Sequence, residues 1–181
     1  MIRSCILILA AANAASFVCA QENPQTAPLK QAYESIKNNF TKAAEQMAED
    51  NYSFKPTPEL QNFGQRVAHI ADSNARTCGA IKGERKSVGA AEKTSKADLV
   101  SALKESFDYC DSVFNSLTDA DAAKMVQMGR GGARPELSTL WGLVVHDNEV
   151  YGTMTVYMRL KGVVPPSTAE RAGRMGRGRR E

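Results

Sequence analysis

"ADLVSALKESFDYCDSVFNSL", residues 97–117, sets Leu99, Ala102, Leu103, Phe107, Cys110, Val113, Phe114 and Leu117 at intervals of three and four. At roughly 100° per residue those side chains fall on one face of an amphipathic helix. Ser95, with Asp98 three residues on, gives that helix a box-like start. Toward the N-terminus, Leu60, Phe63, Val67, Ile70, Ala71, Cys78 and Ile81 predict a second helix. Its start reads as Thr57 at the N-cap, Pro58 at the first helical position and Glu59 in the first turn. Before it, Leu29, Tyr33, Ile36, Phe40, Ala43 and Met47 predict a helix ending near "EDNYSFKP".

Toward the C-terminus, "TDADAAKMVQ" suggests one short turn and "MGRGGARP" a loop. A last helix is expected from about Leu137 or Ser138 to Lys161, with Leu140, Leu143, Val144, Tyr151, Met154 and Met158 inward. Gly162 ends it, and Pro165 with Pro166 argues against resumption. No stretch carries a strand pattern of comparable quality. The expectation is an all-α chain folded as a four-helix bundle.

The 181 residues suit a single domain with a real core. Residues 1–20 read as a signal peptide: Arg3, an apolar run, then Val18-Cys19-Ala20 before polar Gln21. The protein is therefore expected to be exported, periplasmic or secreted, with no membrane span in the mature chain. Residues 21–28 form a polar lead-in, 29–167 the bundle, and 168–181 an Arg/Gly tail expected to be disordered. The net charge of +3 is concentrated in that tail, and the rest of the mature chain is close to neutral. An exported, near-neutral domain argues against nucleic acid as a partner; an anionic envelope surface or plain solvation suits the tail better.

Removing the signal takes Cys5 and Cys19 with it and leaves Cys78 and Cys110. In an oxidising compartment such a pair invites a disulfide; in a reducing one it would be two core thiols.

The chemistry rests on few residues. "VVHDNEVYG", residues 144–152, holds His146, and His69 is the other histidine. His69 projects about 150° from the centre of its helix's apolar arc, beside Gln65, Asp72 and Arg76. His146 lies at the edge of the arc of the last helix, on one stripe with Val150, Thr153 and Tyr157. Asp147 and Asn74 both fall inside apolar arcs, so the carboxylate there needs a partner, a wet cavity or a proton. Two readings stay open: a buried Asp147–Asn74 pair fixing helix register, or part of a ligand site. Neither histidine lies in a nucleophile motif. "GRGGARP" lacks the lysine and preceding strand of a phosphate loop, though its Gly and Arg residues could overhang one end of the bundle.

"NFGQRVAHIAD" (62–72), "ADLVSALKESFDYCDSVF" (97–114) and "HDNEVYGTMTVYMRLKGVVPPS" (146–167) together resemble the DinB-like superfamily, in that order along the chain. The resemblance implies an up-down-down-up bundle with a long crossover between the second and third helices. It also implies a divalent metal, zinc or nickel, held by one histidine on the second helix and a His-x3-His pair on the fourth. His69 and His146 match two of these metal positions; Val150 stands at the third and cannot ligate. Asp72 is a conceivable substitute. Glu149 points about 100° from Val150 and is discounted. Tyr151 and Tyr157 could line the cavity. With a ligand missing, any divalent metal is expected to be weakly held. The parallel second and third helices that the resemblance implies would bring Cys78 and Cys110 to similar height. A homodimer is compatible with bundles of this kind. Function is left between two readings: a non-catalytic protein binding a small molecule or a protein partner, and a metal-dependent hydrolase or thiol transferase using His69 and His146.

Overall fold

The protein is described by a computed structural model over residues 23–177. The signal peptide expected at 1–20 and the last four residues of the tail lie outside the described residues. The chain is mostly helical, with α1 Thr26–Gln46, α2 Phe63–Ile81, α3 Lys96–Ser116, α4 Glu136–Leu160 and α5 Pro166–Arg177. A two-stranded antiparallel sheet, β1 Met125–Gln127 and β2 Ala133–Pro135, precedes α4. α2 packs on α3 and α4, and α1 packs on the same two helices. The anticipated stripes meet in the core: Tyr33 stacks on Phe114 with ring centroids 3.7 Å apart, and Phe40 meets Tyr151 at 5.7 Å. No helix among the described residues is long and apolar enough to cross a membrane.

Helix boundaries were read well where the cap is local. Ser95 caps α3 as expected, its hydroxyl accepting the N–H of Asp98. The start of α2 was not. It begins at Phe63 rather than beside Thr57, because the Asn62 side chain accepts the N–H of Gln65 while Gln65 Oε1 accepts the N–H of Asn62. That reciprocal capping box outcompetes Pro58 as a start signal, and it leaves Leu60 outside the core at 38 % exposure.

α1 begins at Thr26, inside the segment read as lead-in. The reason lies far along the chain: Asp119 accepts the N–H groups of Gln25 and Thr26 at 3.0 and 2.9 Å, and the Thr26 hydroxyl at 2.8 Å. A carboxylate at a helix N-terminus satisfies orphan donors and complements the dipole. Desolvation pushes the Asp119 carboxyl up, but these donors outweigh it and hold it below the usual carboxylate range. A depressed folded-state pKa contributes stability above the unfolded value of about 3.9, and this is lost as pH falls through the folded value. Asp119→Asn is therefore expected to lower the melting temperature at pH 7, with the gap to the parent closing below about pH 4. A gap of equal size at both pH values would show that the carboxylate's charge is not what matters.

Three expectations are corrected near the C-terminus. The segment read as a turn and loop forms the β1–β2 hairpin, paired Met125 to Pro135 and Gln127 to Ala133. Its strands are too short to show an alternating pattern, and Pro135 sits at the end of an edge strand, where a missing N–H costs no ladder bond. The chain is thus not purely α. Pro165 and Pro166 do not prevent further helix, because Pro166 is the first residue of α5, a position where its absent N–H is no loss. The segment expected to be disordered from residue 168 is helical to Arg177, and Glu170 fixes it to α1 through Asn38 and Lys42.

Candidate functional site

α2 and α4 bring the two histidines together. His69 Nε2 lies 3.0 Å from His146 Nε2, with the rings inclined at 62°. His69 is exposed and His146 half-buried, so the pair sits at the surface end of the α2–α4 contact. Two imidazole nitrogens at that distance cannot both present lone pairs to each other; one must carry a proton, or both must share a cation.

Beneath His146, the fully buried Asp147 carboxylate accepts the Asn74 amide N–H at 2.9 Å through Oδ2. This is the pair named in one of the two readings left open by the sequence, and it ties α2 to α4. Its other oxygen, Oδ1, lies 3.6 Å from His146 Nδ1, too long for a hydrogen bond but close enough for charge to act. Asp147 holds His146 above the usual imidazole range, against the burial that lowers it. Burial lowers His69, and the neighbouring His146 adds to that. Burial raises Asp147, opposed by His146 and Asn74. A carboxylate facing Nδ1 favours the tautomer with its proton there and turns the Nε2 lone pair toward His69.

The other candidates supply no third ligand. Val150 is buried at 7 % exposure and brings no donor atom. Asp72 has both oxygens engaged, accepting the N–H groups of Ala90 and Ala91 at 3.1 and 2.9 Å. Those bonds fasten the α2–α3 crossover, a structural task that the sequence did not reveal. Tyr151 is buried against Phe40 and bonded to Ser167. Tyr157 donates to the Gln61 carbonyl and accepts from Arg66. Among the described residues no group of three or more His, Cys, Asp or Glu side chains converges as a metal site. The donor set is therefore two imidazole nitrogens 3.0 Å apart, one donor short of a firmly held catalytic ion. It does not fit a resident metal, and no reaction step follows through one.

Sequence reading missed the hairpin's part here. Met128 and Arg134 line a recess of about 230 Å³ with Ser73, Thr77, Ser138 and His146. The Gly/Arg segment folds as part of a hairpin, and of its residues Arg134 lines the recess beside His146. Cys78 and Cys110 form a disulfide between α2 and α3, with Cα atoms 5.4 Å apart.

A sequence profile of the DinB superfamily matches residues 32–154. No curated protein matches the sequence. Among solved structures, the crystal structure of a DinB-like protein from Bacillus cereus is similar, with a TM-score of 0.66 and 18% identity, covering 76% of this chain and 93% of that one. A likeness at that identity concerns the fold.

Proposed function

The chain belongs to the DinB superfamily, and from that premise we propose an exported, non-catalytic bundle that binds a small ligand or a partner beside a degenerate metal site. α1 to α4 form an up-down-down-up bundle in this reading. The Cys78–Cys110 bond near their C-terminal ends, and the approach of Leu99 Cδ1 to within 3.2 Å of where a Cβ on Gly64 would lie near their N-terminal ends, support parallel α2 and α3. Contacts of Thr26 with Asp119 and of Lys96 with the Glu45 carbonyl support antiparallel α1 and α3. Export is supported by the disulfide, which suits an oxidising compartment.

The observation that carries the reading of the site is the 3.0 Å separation of the two Nε2 atoms. It gives a place that attracts a proton or a weakly held divalent ion, zinc or nickel. The same alignment is what favours the alternative, a metal-dependent hydrolase or thiol transferase. Metal analysis of untagged protein after dialysis against a chelator separates the two. We expect far less than one ion per chain, and weak zinc uptake that either His69→Ala or His146→Ala abolishes. A stoichiometric ion surviving the chelator would overturn the non-catalytic reading. Uptake persisting in His69→Ala would move the ion elsewhere.

A further inference from the structure

Beside the histidine pair, a groove of about 940 Å³ runs between α2, the turn after it and β1. That volume is at the upper end of small-ligand clefts, about 300–1,000 Å³. One wall is held rigidly. The Glu84 N–H donates to the Gly79 carbonyl at 2.9 Å, and a Cβ at Gly79 would meet Glu84 O at 2.9 Å. Only a glycine lets the turn lie so close on the last coil of α2.

The groove's charge is lopsided once its bonds are counted. Of its two carboxylates, Asp72 accepts the crossover N–H groups and Glu84 accepts the Tyr109 hydroxyl. Lys86 is engaged by Glu105 at 2.8 Å. Arg85 and Lys124 form no salt bridge among the described residues, although Lys124 lies near enough to Asp121 and Glu136 to act on both carboxyls, and Arg76 reaches only the Ser73 hydroxyl at 3.5 Å. The donors to Asp72 and Glu84 are neutral and leave both carboxylates charged. The four cations Arg76, Arg85, Lys86 and Lys124 therefore face two carboxylates, and with Lys86 paired to Glu105 a smaller positive excess remains in a concave site. Among these cations Met125 is 58 % exposed, and the half-buried Met128 lines both this groove and the recess of His146. A concave site with a positive excess and an apolar side chain open to it suits an anion with an apolar body.

We propose that this groove binds a small organic anion with an apolar body, its headgroup held by Arg85 and Lys124 and its body resting on Met125 and Met128. The inference rests on the small-ligand reading above and gives it a place and a chemical class. A carboxylate and a phosphate monoester share the required chemistry.

Titration of the full chain with decanoate, decyl phosphate and decanol, followed by NMR of 13C-labelled methionine methyl groups, tests this. Saturable shifts are expected at Met125 and Met128, with at least one anion bound roughly ten times more tightly than decanol. The tighter of the two anions identifies the headgroup. Arg85→Ala and Lys124→Ala, both surface changes, should each weaken that anion about 3- to 10-fold, and added salt should weaken it further. Equal affinity for decanol, or an unaltered affinity in an Arg85→Ala/Lys124→Ala double variant, would overturn the proposal. Dependence on His69 and His146, with none on Arg85 and Lys124, would place the ligand outside the groove and leave the small-ligand reading standing. No saturable shift with any of the three also overturns the groove, and the metal analysis then judges the broader reading on its own.

Discussion

Val150→His raises zinc affinity about 100-fold over the parent protein, the largest effect expected at the site. Residues 146 and 150 are one helical turn apart on α4, so the new imidazole joins His146 on one stripe of the helix. His69 already brings its Nε2 within 3.0 Å of His146 Nε2. The variant therefore adds a third nitrogen to two that converge. A four-ligand structural zinc site is worth about 10–16 kcal/mol, or roughly 3 kcal/mol per ligand, which is two orders of magnitude in affinity. Part of the gain is offset because residue 150 is buried at 7 % exposure; an unpaired imidazole there costs about 1–3 kcal/mol of fold stability until metal binds. Metal-free Val150→His should thus melt earlier than the parent and recover on adding zinc. Calorimetric titration of parent, Val150→His and Val150→His/His69→Ala checks the geometry, since the gain must vanish without His69. Equal weak uptake by parent and single variant would mean that position 150 does not reach the ion.

Removing the disulfide should cost the fold more than any surface change. Cys78 and Cys110 are fully buried and 32 residues apart, and the bond ties α2 to α3 across their crossover. In the chain-entropy model a loop of that length contributes about 3–4 kcal/mol by restricting the unfolded chain. Domain stabilities are about 5–15 kcal/mol, so this is a large share. Cys78→Ala/Cys110→Ala should lose that amount in urea unfolding, with a small addition for two buried sulfur volumes. Chemical reduction of the parent should produce most of the loss without any cavity. Digestion without reductant should yield the Cys78 and Cys110 peptides joined. Separate, alkylated peptides, or reduction without loss of stability, would end the argument.

The paired imidazoles were only half legible. Sequence put His69 on the outer face of its helix and His146 at an arc edge, and it suggested Asn74 as a partner for Asp147. The distance between the histidines depends on how α2 and α4 are set against each other, and no pattern within one helix encodes that. Asp72 illustrates the same limit. It was a reasonable substitute ligand by spacing, yet both its oxygens hold the N–H groups of Ala90 and Ala91, 18 and 19 residues away. α4 carries apolar residues outside its core face as well, with Val145, Val156 and Leu160 more than half exposed. Periodicity could name an inward stripe there but could not say which side solvent would see.

The chain's own residues determined the helical character, the four long apolar stripes, the cap of α3 and the pairing partners available to two cysteines. These depend on interactions spanning one or two turns, where spacing is geometry. Tertiary structure decided the rest. Asp119 set the first turn of α1 from 93 residues away, and the hairpin formed from strands too short to announce themselves. α5 was fixed by Glu170 reaching α1, and the groove exists only because a folded turn and β1 face each other across α2. Contacts between distant segments form when the core closes, and their energies appear in no local pattern of the sequence.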